Sequence, residues 1–279
     1  QITLAETGAP VFSAFSGWQM ANNALQIYPR VPVDTSDWSS PAGLELARYA
    51  DRYFKRPGAG IMKNPPGATT TYMWERGLPL HQYLDDYRKS HSFLRQWPDT
   101  ERLSYFVAWN RVAPIFSQYG YSLLRRHPVA FSRYYLWPSA KAYFLSPLDV
   151  FAVYNEGKKE VDPVARDWFG YRSTRPAVRS ATIQATIFAP FPWLSLVLNL
   201  GFWLTAAVFL LRRDLRGGYP GYTVCLLLAE AYLLTNACFT IFASPGVFRY
   251  QVLPMILLFI FTVYSLYFVT YRRSVNDKL

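Results

Sequence analysis

Three long apolar runs dominate the last third of the chain: Ile187 to Leu211, Tyr222 to Ala243 and Val252 to Tyr271. Each is about 20 residues, the length at which a helix covers a hydrocarbon layer of about 30 Å. They predict membrane spans at about 187–211, 222–243 and 252–271. The short turn Ser244 to Tyr250 joins the last two and carries one arginine, Arg249, at the water boundary. Before Gln184 the pattern is different, with shorter apolar–polar periodicities interrupted by glycine and proline. The fold class expected is therefore a mainly α membrane protein. A mostly helical domain over residues 1–184 precedes a membrane domain over residues 185–279.

Within the first part, residues 1–40 read as irregular or short-stranded, with Val31-Pro32-Val33-Asp34 extended. Ser39-Ser40-Pro41 starts a helix, a hydroxyl cap followed by proline in the first turn, with Leu44, Ala47, Tyr49 and Phe54 on its apolar side. The loop from Pro57 to Gly67 contains Lys63 and fits an anion cradle or a plain surface loop. From Met73 to Trp97, Tyr83, Tyr87, Phe93 and Leu94 alternate with charges, which predicts one amphipathic helix or two. Asp85 and Asp86 are adjacent, and helix neighbours point about 100° apart, so they read as a solvated face. A further helix runs on from Asp99 with Pro114 inside it. From Gly120 to Pro138 aromatics interleave with Arg125, Arg126 and Arg133. That mixture suits a surface at the lipid headgroup level, or a helix packed on the core with a wet basic face.

Composition sharpens the division. Hydrophobic residues make up 51% and aromatics 18% of the 279 residues, and the mean hydropathy of +0.02 hides two different halves. Up to Gln184 there are 22 Lys+Arg against 15 Asp+Glu; beyond it there are 7 against 3, for a total of +11. Arg212-Arg213-Asp214-Leu215-Arg216 follows the first span and Arg272-Arg273 the third, while only Arg249 stands between spans two and three. The positive-inside rule then puts the 212–219 loop and the C-terminus in the cytoplasm and residues 1–184 outside, in an inner (cytoplasmic) membrane. With that sidedness the basic surface expects membrane lipids or a lipid phosphate as its partner, and no nucleic acid. Cys225 and Cys238 lie in one span about 20 Å apart along the helix, beyond disulfide reach. No metal-ligand spacing occurs, so no cofactor is expected and no divalent metal is assignable. His81, His91 and His127 lack the neighbours of a hydrolase site.

Two polar residues fall inside the spans, Glu230 and Asn199. An ionisable group there costs roughly 2.5–3.5 kcal/mol and faces other helices. Asn199 is one candidate partner for Glu230, and upstream helices are another.

The run Arg249-Tyr250-Gln251-Val252-Leu253-Pro254, opening the last span, resembles the tail of GT-C class membrane glycosyltransferases of the dolichyl-phosphate-mannose and aminoarabinose-transferase types. Ser16-Gly17-Trp18-Gln19-Met20-Ala21-Asn22-Asn23 and Arg133-Tyr134-Tyr135-Leu136-Trp137-Pro138 are similar to inter-span regions of such proteins. The resemblance implies transfer of a sugar from a polyprenyl-phosphate donor to an extracytoplasmic acceptor. By the resemblance Arg249 and Tyr250 would lie near the donor phosphate, while by physics alone Arg249 fits an interfacial anchor equally; Arg133 and Lys63 are further candidate substrate-binding residues. The family's catalytic acid belongs to a loop after an earlier span, so the chain is expected to be the later part of a longer enzyme. The alternative is a non-catalytic accessory subunit whose outer domain docks a partner.

Overall fold

The computed structural model describes residues 4–5, 13–34, 38, 40–56, 71–91, 101–148, 151–175, 180, 182–243 and 246–276. Every regular element among them is a helix. Packing divides the chain into two compact units, Gln1–Ser139 with Ile241–Pro245, and Ala140–Thr240 with Gly246–Leu279. The hydropathy change near Gln184 thus lies inside the second unit.

The first unit begins with α1 (Ala14–Ile27), where residues 1–40 were expected to be irregular or short-stranded. The correction has a physical cause. Nearly the whole surface of α1 is buried, including Gln19, Asn22, Asn23 and Gln26. It therefore has no wet face and no helical periodicity of polar residues. The Ser13 hydroxyl caps it by accepting from the Phe15 N–H at 3.3 Å. The helix α2 (Pro41–Phe54) starts as expected, with the Ser40 hydroxyl accepting from the Gly43 N–H at 3.1 Å. Short α3 (Thr71–Trp74) and α4 (Pro79–Ser90) follow, then the long α5 (Glu101–Arg126) with Pro114 inside it. On α4, the Tyr49 hydroxyl and Lys89 hold the Asp86 carboxyl below the usual carboxylate range.

The core is the contact of α1 with α5. A Cβ on Gly17 would overlap the Ala113 carbonyl, and one on Gly120 would overlap the backbone of Met20. The glycines are required because the two backbones touch. Between these points Trp18 is fully buried, stacked on Trp109 at 3.6 Å between ring centroids. Its indole N–H donates to the Trp109 carbonyl at 3.0 Å. The amides of α1 form a network: Gln19 donates to Asn23 Oδ1 at 2.7 Å, and Asn23 Nδ2 donates to the Phe242 carbonyl at 2.8 Å.

After α5 the chain turns at His127 into α6 (Pro128–Phe131), a π-helical turn at Ser132–Leu136, and α7 (Trp137–Phe144). The second unit continues through α8 (Pro163–Phe169), α9 (Thr182–Phe188), α10 (Phe191–Leu211), α11 (Arg213–Gly218), α12 (Pro220–Ala243) and α13 (Phe248–Asn276). Thr182–Leu211, Pro220–Ala243 and Phe248–Thr270 are long and apolar enough to cross a membrane. By length and composition the chain is an integral membrane protein. Phe191 faces Phe248, Gly201 faces Thr262 and Phe209 faces Phe268, so α10 and α13 run in the same direction. Tyr222 meets Ser265 and Thr240 meets Gln251, so α12 runs against α13. That alternation is what three consecutive spans require.

Candidate functional site

The entry to α13 is built from the turn upward. A Cβ on Gly246 would press on the Ala142 and Tyr143 backbone at 3.0 and 3.1 Å. The Phe248 N–H donates to the Pro147 carbonyl at 2.8 Å. The Phe248 ring joins Phe191 at 4.8 Å, Phe151 at 5.7 Å and Phe188 at 5.8 Å, an aromatic collar that fixes the first turn. Arg249 and Tyr250 come next and are exposed, the guanidinium carbon 4.8 Å from the Tyr250 ring centroid. The helix starts earlier than the apolar run, at Phe248, so Pro254 sits inside it. Lacking an N–H, Pro254 leaves the Tyr250 carbonyl without its helical partner.

An open groove of about 370 Å³ lies between α10 and α13. Leu194 and Leu198 line one wall and Phe248, Val252, Met255 and Phe259 the other, and every lining side chain is apolar. Arg249 follows directly on Phe248. The second unit thus joins an apolar slot to a cation at its start, the two features that a long-chain lipid with an anionic head demands.

The other residues singled out are distributed elsewhere. Arg133 belongs to the first unit, Arg249 and Tyr250 to the second. Lys63 lies outside the described residues. Asn199 is buried and donates to the Ser195 carbonyl at 2.9 Å. Glu230 is half-buried on α12, with no hydrogen bond or ion pair among the described residues, to Asn199 or to any other group. Both cysteines are free. Among the described residues no group of three or more His, Cys, Asp or Glu is placed to hold a metal ion.

In the first unit an open cleft of about 350 Å³ is lined by Arg126, His127, Pro128, Val129, Arg133 and Tyr134. The π-helical turn brings Arg133 and Tyr134 to it. Arg30 lies 4.5 Å and Arg133 5.4 Å from the centroid of the Tyr134 ring. Sequence reasoning passed over Arg30, which stands alone 103 positions away from Arg133. It also passed over the amides of α1 as a group, although their crowding into one helical length was a readable signal.

His81 is buried. Its Nε2 lies 2.9 Å from the Met73 carbonyl and its Nδ1 3.3 Å from the Tyr105 hydroxyl. Nε2–H donating and Nδ1 accepting satisfies both, an assignment only the neutral ring allows. Burial accordingly holds its pKa below the ordinary value.

No family model, no curated protein and no solved structure matches the chain.

Proposed function

We propose that this chain is the later part of a polytopic GT-C type glycosyltransferase that moves a sugar from a polyprenyl-phosphate donor to an extracytoplasmic acceptor. In this reading the protein sits in the inner (cytoplasmic) membrane, with residues 1–184 outside and the C-terminus in the cytoplasm. The donor's isoprenoid chain lies in the groove between α10 and α13, its phosphate meets Arg249, and upstream spans hold the catalytic acid. The observation that carries it is the wholly apolar groove lined by Phe248, the residue directly before Arg249. The resemblance of Arg249-Tyr250-Gln251-Val252-Leu253-Pro254 to the family's tail supplies the reaction.

The test is photo-crosslinking of a polyprenyl phosphate bearing a photoreactive chain, with the protein in lipid nanodiscs. Labelling is expected at Leu198 and Met255, and Leu198→Trp, which fills the slot, removes it. Arg249→Ala is expected to weaken labelling about tenfold, the loss of one charge-assisted contact. Labelling that ignores both substitutions sets the reading aside.

A second reading, a non-catalytic accessory subunit, is favoured by Glu230. A half-buried carboxylate with no partner among the described residues suits a helix from another chain. Co-purification of a membrane partner that Glu230→Leu abolishes supports it, and a chain that purifies alone in mild detergent argues against it.

A further inference from the structure

We infer that the cleft at His127 in the first unit binds the phosphate of an anionic lipid headgroup, a second contact with lipid apart from the groove beside Arg249. It does not depend on the sugar-transfer reading, only on the chain being a membrane protein.

Three observations carry it. The cleft is cationic, with the Arg126 and Arg133 guanidinium groups at its edge and no carboxylate among its lining residues. The Tyr134 ring, which lines the cleft, has two guanidinium groups near it, Arg30 at 4.5 Å and Arg133 at 5.4 Å from its centroid. The forked donors of Arg126 and Arg133, which line the same cleft, match the several acceptor oxygens of a phosphate. Finally, large apolar side chains stand out on the same helical run, Val129 at 79% and Trp137 at 61% exposure. Exposed apolar side chains and an indole on the same helical run as arginines belong at the level of lipid headgroups, where each finds its own medium. A site for free phosphate needs the arginines and has no use for exposed Val129 and Trp137. The lipid is therefore the occupant that accounts for both.

The test uses the full chain in a non-ionic detergent, titrated with dioctanoyl phosphatidylglycerol, dioctanoyl phosphatidylcholine and inorganic phosphate, with binding followed calorimetrically. Phosphatidylglycerol is expected to bind at least about tenfold more tightly than the other two. Arg30→Gln and Arg133→Gln are each expected to weaken it about fivefold, the usual contribution of one cation near an anionic surface. Arg48→Gln, at an exposed position on α2 of the same unit, leaves it unchanged. Unaltered thermal unfolding of each variant shows that folding is intact, and Val129→Ser lowers affinity without touching charge. The inference is overturned if inorganic phosphate binds as well as the lipid, which marks a free-phosphate site. Equal losses from Arg48→Gln and Arg133→Gln also overturn it, since binding would then reflect diffuse charge alone.

Discussion

The contact of α1 with α5 and the packing of the three spans solve opposite problems. In the first unit a helix carrying four amides is the most enclosed element, and its polar groups are buried in a network of their own. Among the spans, between 22% and 28% of each most apolar stretch is covered by the rest of the chain, and the exposed remainder is mainly apolar. Tyr222 with Ser265 at 2.7 Å and Gln251 with Thr240 at 3.3 Å are local polar ties in an otherwise apolar assembly. Hydropathy reports the medium a residue suits, and burial reports what its neighbours cover. The two diverge here, with the polar helix inside and the apolar helices outside.

The Phe242 carbonyl belongs to the last turn of α12, where helix carbonyls lack intrahelical partners. Asn23 donates to it at 2.8 Å and Tyr135 at 3.2 Å. The segment Ile241–Pro245 therefore packs with the first unit although it ends an apolar helix.

The contrast breaks most readily at the glycines. Gly17→Val drives a side chain into the Ala113 backbone and is expected to cost at least about 3 kcal/mol, read as loss of cooperative unfolding in detergent. Gly221→Ala on α12, with open space around its Cβ, should move the same midpoint by less than about 0.5 kcal/mol. A smaller effect separates the polar networks. Asn23→Leu removes a donor from the Phe242 carbonyl and is expected to cost about 2 kcal/mol. Gln251→Leu between the spans should cost about 0.6 kcal/mol or less. Equal costs would erase the distinction.

Acid provides a third lever, since His81 titrates only in the first unit. Its folded pKa is depressed, so the unfolded chain binds more protons near and below the ordinary value of about 6.5. Its contribution is present above that value and is lost as the pH falls below it. The slope is at most about 1.4 kcal/mol per pH unit, and His81→Phe should flatten it in urea melts between about pH 7.5 and 5.5. At the bottom of the scale, Lys55→Ala breaks the exposed pair with Asp51 at 2.8 Å and should cost less than about 0.5 kcal/mol.

Legibility followed the kind of signal each element emits. The three apolar runs coincide with the three long helices because uniform hydropathy over about 20 residues needs no neighbours to be recognised. The cap at Ser40 with Pro41 was equally local. The start of α13 was misplaced because Phe248, Arg249 and Tyr250 join the helix through the aromatic collar, a contact invisible in the apolar count. Arg133 was legible as part of a basic aromatic run, but Arg30 reaches the same tyrosine only through the fold.

From sequence alone came the mainly helical class, the spans, the turn between the last two and the candidate Arg249, because propensity, hydropathy and charge act over short distances along the chain. The identity of α1 as the centre of the first unit came only from tertiary structure. So did the groove beside Phe248, the approach of Arg30 to the Tyr134 ring, and the bond of Asn199 to the Ser195 carbonyl. Each of these depends on which distant residues meet, and a polar side chain reads alike in one dimension whether water or another amide takes its hydrogen bond.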